Sequence, residues 1–173
     1  MVASKRFLNE TDVAKKDIVY GLYYILRAGI TPTEIYLNES ETDTMSSYQG
    51  GYLAGAILGR ILFKEQVMEL LKAGVKTVNL FFDNDKAGVE CTLRSYQLLS
   101  KTPIHVNVVK YPGLRYGIDT VDATEIKYKD ANDLLKAGII KNIEVVPYME
   151  YLIELEKSKL ISPKEILENN VKK

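Results

Sequence analysis

The 173-residue chain has one cysteine, one histidine and no net charge, and each scarcity closes off a class of function. A lone Cys91 cannot form an internal disulfide, which fits a reducing cytoplasm. His105 has no cysteine or second histidine to join it, so it reads as structural rather than as a metal ligand. No apolar run approaches the ~18 residues that cross a bilayer, and Met1 to Glu10 is too polar for a signal peptide. The expectation is therefore a cytoplasmic protein with no membrane partner. Twenty-three basic against 23 acidic residues also count against strong autonomous DNA binding, because such affinity comes largely from neutralised phosphates. The basic-leaning stretches Lys5-Arg6, Lys15-Lys16 and Lys110 to Lys129 read as scattered solvated charge. Internal repeats, low-complexity tracts and interdomain linkers are absent, leaving one domain long enough to bury a core.

What the chain does have is acid at the ends of its apolar runs. Val78-Asn79-Leu80-Phe81-Phe82 stops at Asp83-Asn84-Asp85, and Ile35-Tyr36-Leu37-Asn38 stops at Glu39-Ser40-Glu41-Thr42-Asp43. Lys129-Asp130-Ala131-Asn132-Asp133 opens a helix further on. If the first two strands are neighbours, these acids converge on one pocket.

Periodicity predicts the rest. A helix over Asp17 to Ala28 carries Ile18, Val19, Leu22, Ile25 and Leu26 at helical spacing and is closed by Gly29. Strands are expected at Glu34 to Asn38, Tyr52 to Leu58, Thr77 to Phe82 and Ile104 to Lys110. Between them come helices at Thr42 to Gln49, Lys64 to Ala73 and Ala87 to Ser100. Tyr111 to Tyr128 reads as loop, followed by helices at Asn132 to Ala137, at Val146 to Leu160, and from the Ser162-Pro163-Lys164-Glu165 cap. Strands alternating with helices across short connections indicate a mostly parallel, helix-flanked sheet, which binds ligands at the carboxyl ends of its strands.

Alternation along a strand points residues 83 and 85 the same way and turns Asn84 aside. Asp83 and Asp85 can then reach one hard cation or two neighbouring ones, since Mg²⁺ needs only one or two carboxylates beside substrate phosphates. Glu39 on an adjacent strand would complete a two-metal site or act as a general acid or base. The plainer uses are a solvated turn for Asp83 to Asp85, a helix cap and first-turn acid for Asp130 and Asp133, and a helix cap for Asp43.

These pieces occur in a familiar order. Glu39-Ser40-Glu41-Thr42-Asp43 resembles the Glu-Gly-x-x-Asp motif of the Toprim domain, and Leu58-Gly59 resembles the glycine turn after its second strand. Phe82-Asp83-Asn84-Asp85-Lys86-Ala87-Gly88 resembles the Asp-x-Asp motif in its primase version, and Lys129 to Leu135 resembles the primase Lys-Asp-x-Asp/Asn-x-Leu-Leu segment. Arg6-Phe7-Leu8-Asn9 and Val19-Tyr20-Gly21-Leu22 resemble signatures preceding the primase core. Over about residues 5 to 155 the chain is thus similar to the Toprim-containing part of a DnaG-type DNA primase, bacterial or phage. The resemblance implies an α/β Toprim (Rossmann-like) fold with a mostly parallel four-stranded sheet and a C-terminal helical extension. Residues 1–30 would be a lead-in and helix, 31–145 the Toprim domain and 146–173 the C-terminal segment.

The implied activity is nucleotidyl transfer with Mg²⁺ or Mn²⁺, making RNA primers from nucleoside triphosphates on single-stranded DNA. Glu39 matches the acid/base position and Asp83 and Asp85 the metal positions, with Asp43 and Asp130 as further acids of the metal and nucleotide pocket. Arg60 and Lys86 would contact the nucleotide, although Lys86 also suits simple neutralisation of the acids. Ser40 replaces the usual glycine, and Asn132 stands where many members carry a second aspartate. With one Cys and one His, the family's zinc-binding module has no counterpart, so no zinc is expected in this chain. The neutral charge also agrees with loss of most of the basic template-gripping subdomain. A fragment or split subunit, weakly active alone and completed by missing primase modules or a replicative helicase, is the expectation. The alternatives are a single-domain Toprim nuclease and a non-catalytic, Mg²⁺-binding regulatory module.

Overall fold

A computed structural model describes residues 14–168. The signature at Arg6 to Asn9, the Lys5-Arg6 pair and the start of the lead-in lie outside the described residues. Five strands form one sheet in the order β2-β1-β3-β4-β5, with β1 at Glu34–Asn38, β2 at Ala54–Ala56, β3 at Thr77–Leu80, β4 at His105–Lys110 and β5 at Glu144–Pro147. The first four are parallel. The expected four-stranded sheet is therefore corrected to five, because β5 pairs antiparallel with β4, Val108 opposite Val146. The helix expected from Val146 begins only at Tyr148. Pro147 bars the α conformation from the residue before it, and β-branched Val145 and Val146 suit an edge strand that ends in proline.

Among the described residues seven α-helices flank the sheet: α1 Leu22–Arg27, α2 Glu41–Gln49, α3 Lys64–Lys72, α4 Lys86–Leu99, α5 Ala131–Lys136, α6 Tyr148–Ser158 and α7 Pro163–Glu168. The expected first helix is cut back at its start. Val19 and Tyr20 run extended, Tyr20 bridging Ala56 beside β2, and Gly21 turns the chain with φ at 85°. Of the apolar positions at helical spacing, Val19, Leu22 and Ile25 are buried, and Ile18 and Leu26 are exposed.

Alternation along the strands splits the core. Ile35, Leu37, Val78 and Leu80 face a cluster completed by Leu70, Cys91 and Leu99 from α3 and α4. Tyr36, Phe81 and Val109 face the other side, against Leu134 of α5 and Ile140. A third cluster joins Val89 and Leu93 of α4 to Tyr151 and Leu155 of α6. On the α5 side a polar chain centred on buried Asn79 crosses three strands. Asn107 Nδ2 donates to Asn79 Oδ1 (2.9 Å), and Asn79 Nδ2 donates to Glu34 Oε1 (2.6 Å). It satisfies the buried Asn79 amide, which would otherwise cost about 1–3 kcal/mol.

From β1 the chain crosses outward to β2, whereas β3 leads the opposite way to β4. The β1/β3 boundary is thus the switch point at which open α/β sheets leave a crevice. The β3–α4 junction there is tight: a Cβ on Gly88 would sit 1.8 Å from the Asp83 carbonyl oxygen. Gly88→Ala is therefore expected to lose at least about 3 kcal/mol of stability, since the obstruction is backbone and cannot rotate away. Urea unfolding at fixed pH checks this.

Candidate functional site

Asp83 and Glu39 follow the neighbouring ends of β3 and β1, held together by the pairing of Leu37 with Leu80. The Asp83 N–H donates to Glu39 Oε1 at 3.2 Å, so strand pairing itself fixes the glutamate. Asp85 is the N-cap of α4, its Oδ1 accepting the Gly88 N–H at 2.9 Å. Asn84 between them is buried and turned away, as alternation requires. Its Nδ2 donates to the carbonyls of Leu114 (3.0 Å) and Tyr128 (3.1 Å), its Oδ1 accepts from Tyr116 N–H (2.7 Å), and its own N–H donates to Lys129 O (2.6 Å). One asparagine thereby fastens both ends of the long loop to the strand end. Sequence reading assigned Asn84 no role, because its partners lie 30 to 45 residues away.

The remaining acids arrive on helix starts. Ser40 caps α2, accepting the Asp43 N–H at 3.2 Å, and its hydroxyl donates to Asp43 Oδ2 over a very short contact. Asp43 is buried, and that burial raises its pKa against hydrogen bonds from the Ser40 hydroxyl and from the N–H of Asn132 on α5. It therefore ties α2 to α5 as well as facing the crevice. Asp130 caps α5 through Asp133 N–H (2.8 Å), and Asp133 accepts the Lys129 N–H (2.9 Å), so the plainer cap roles are realised for both. A crevice of about 510 Å³ is lined by Glu39, Asp43, Asp83, Asp130 and Arg60.

Lys86 lies elsewhere. It lines a separate groove of about 970 Å³ beside α6 and α7, which holds none of the crevice carboxylates. The nearby cation is Lys129, whose Nζ lies 3.5 Å from Asp85 Oδ2 and 3.8 Å from Asp83 Oδ2. Both distances exceed those of a close charge-assisted bond, and the lysine side chain is 55% exposed. It is a loose counter-ion, not a locked pair. Lys15 also lines the crevice. Its position in the irregular lead-in gave no sequence signal.

The acids outweigh these cations. Burial, then repulsion from Glu39, Asp43 and Asp85, raises the Asp83 pKa to about 7, against a smaller opposing effect of Lys129. Burial also pushes Glu39 up, opposed by its bond from Asp83 N–H and reinforced by Asp85. Excess negative potential, all-oxygen donors and no Cys or His at the crevice suit a hard cation such as Mg²⁺ or Mn²⁺ and not zinc. Among the described residues no three His, Cys, Asp or Glu side chains already form a closed cage. Mg²⁺ does not demand one, because substrate phosphates and water supply most of its ligands. Cys91 is core, and His105 starts β4 at the opposite end of the sheet.

Fold and crevice together define a parallel α/β domain with an acidic strand-end site. Residues 36–135 match the Toprim-like family, and the chain belongs to it. It is 33% identical over 109 residues to the DNA primase of Halalkalibacterium halodurans, an alignment covering 62% of this chain and 18% of that protein. The chain thus spans under a fifth of that relative's length. In fold it is similar to a DNA primase domain from Pseudomonas aeruginosa, with a TM-score of 0.63 at 21% identity over 84% of this chain and 44% of the other. It is also similar to a DnaG primase catalytic domain bound to single-stranded DNA, with a TM-score of 0.57 at 20% identity over 94% and 45% of the two chains.

Two outcomes are expected. Folding takes up a proton at Asp83 between its unfolded pKa near 4 and its folded value of about 7. That contribution is fully present below pH ~4, declines as pH rises and is gone above ~7, a fall on the order of 2–4 kcal/mol. Asp83→Asn should flatten the decline and be the more stable protein at pH 8 in EDTA, read by urea unfolding from pH 5 to 8. Asn84→Ala should cost about 2–4 kcal/mol at any pH by leaving three loop groups unpaired.

Proposed function

We propose that this chain is the catalytic Toprim portion of a DnaG-type primase, performing nucleotidyl transfer with Mg²⁺ or Mn²⁺ bound at the crevice. Ribonucleoside triphosphates are its substrates and single-stranded DNA its template, in a bacterial or phage-infected cytoplasm. A replicative helicase or further primase modules are its partners. The reading rests chiefly on Glu39, Asp83 and Asp85 gathered at adjoining strand ends, with the Asp83 pKa raised to about 7 by burial and then by the neighbouring acids. The DNA-bound DnaG catalytic domain of similar fold supports the choice of template.

Asp83 and Asp85 hold the ion, with Asp43 and Asp130 as outer acids that raise its local concentration. When bound, the ion neutralises phosphate charge and stabilises the entering and leaving oxygens of the displacement. Glu39 takes the proton of the attacking hydroxyl on a carboxylate oxygen. Its raised pKa moves it toward the range a general base needs, while its Oε1 stays anchored on Asp83 N–H. Arg60, exposed at the rim, contacts phosphate oxygens. The amino ends of α2 and α4 lie at this site, where backbone dipoles favour anionic groups.

Lys129 competes with the cation for Asp83 and Asp85. Calorimetry with Mn²⁺ should therefore show tighter binding by several-fold in Lys129→Gln and loss of binding in the Asp83→Ala plus Asp85→Ala variant. Equal affinity in that double variant and the wild type would remove the assignment. Ribonucleotide incorporation on single-stranded DNA, lost in Glu39→Gln, is expected to follow. Strand cleavage without incorporation would point to a Toprim nuclease instead.

A further inference from the structure

Behind the crevice lies a second, much smaller cavity, of about 30 Å³, bounded by Asp83, Asn84, Thr92, Val108, Tyr111 and Tyr151 among others. Asp83 lines both spaces, so its segment is the wall between them. Tyr111 follows β4 and is 6% exposed. Its hydroxyl is buried and has no hydrogen-bond partner among the described residues. A hydroxyl in that state is destabilising unless something in the cavity answers it. The wall offers further polar groups. Thr92 Oγ1 donates to Gly88 O at 2.8 Å and so retains lone pairs to accept with. The Asp83 carbonyl packs directly beneath Gly88. A volume of 30 Å³ exceeds the ~10–15 Å³ that one water occupies, and a water needs two to four polar partners.

We propose that this cavity is a bound-water site, and that its water links the Tyr111 hydroxyl to the Asp83 segment, making Tyr111 a positioning residue for the crevice carboxylate. Tyr111 never touches substrate or ion. It acts by holding, through one water, the inner side of the wall whose outer side faces the crevice. The role of the carboxylate rests on the function proposed above, whereas the water site does not.

The test uses the 173-residue chain and its Tyr111→Phe variant. Two-dimensional NMR should show cross-peaks from a long-lived water to the Tyr111 ring and the Thr92 methyl in the wild type. Their absence overturns the water site whatever the metal does. In EDTA, Tyr111→Phe should not raise Tm, because the variant strands a water that had a partner. A rise of several degrees would mean that the hydroxyl was an uncompensated burden, and the proposal fails. By calorimetry Mn²⁺ should bind Tyr111→Phe about three- to tenfold more weakly than the wild type, and unchanged affinity removes the positioning role. If the wild type itself binds no Mn²⁺, the functional reading and the positioning role fall together. The NMR and Tm results then still decide the water site.

Discussion

The arrangement depends on the side chain of Asn84. Strand alternation alone would place two acids on one side of the chain, but it would not bring the 111–130 loop to them. Asn84 does that with both ends of its amide, reaching Leu114 and Tyr116 at the loop's start and Tyr128 near its end. The loop then delivers Lys129 and the cap of α5 to the crevice. Elsewhere the loop is held by Arg115, which bridges Asp119 at 2.9 Å and Glu154 of α6 at 2.5 Å. Its two ion pairs fix the loop to the third core cluster. A neutral amide suits the Asn84 position because a carboxylate there would add a further charge and lose both donors.

The opposing force is electrostatic. Beyond burial, three acids, Glu39, Asp43 and Asp85, lie close enough to raise the pKa of Asp83, and each is at least partly removed from water. The protein offsets this with backbone amides more than with cations. Asp85 sits on the start of α4, Asp130 on the start of α5, and Glu39 on the Asp83 N–H. Such bonds favour ionised carboxylates without filling the crevice. A buried arginine would have balanced the charge better and left no demand for a cation. On the proposed function, the tolerated imbalance is the expected trade between stability and function.

Much of this was legible in the chain, for physical reasons. Strand β1 ended where its apolar run met acid, and the acids of Asp83 to Asp85 before Lys86-Ala87-Gly88 marked the end of the next strand, although the cap role of Asp85 on α4 was not read. The same alternation that turned Asn84 aside could be read without knowing what it would meet. What stayed hidden was non-local. The competitor for Asp83 and Asp85 is Lys129, 44 residues beyond Asp85, and not the adjacent Lys86, because α4 carries Lys86 away on its first turn. Strand β5 was readable in principle. Pro147 after two valines forbids a helix start at Val146, but the helical spacing of Tyr148, Tyr151 and Leu155 drew the boundary backward.

The dual use of the site's acids explains why cap and ligand readings do not compete. A carboxylate has two oxygens. In Asp85 one is committed to Gly88 N–H, and the other faces outward to where Lys129 sits. In Glu39 one oxygen is committed to Asp83 N–H. Anchoring one oxygen removes most of the side chain's rotational freedom before any ion or nucleotide arrives, so less entropy is lost on binding. On the proposed function, the capping Asp85 is thereby a ligand already oriented. Asp43 marks the limit of the device. With Ser40 and Asn132 both on its carboxylate, its contribution is fixed charge and the α2–α5 tie. On the proposed function, the acids nearest the strand ends are left to meet the cation.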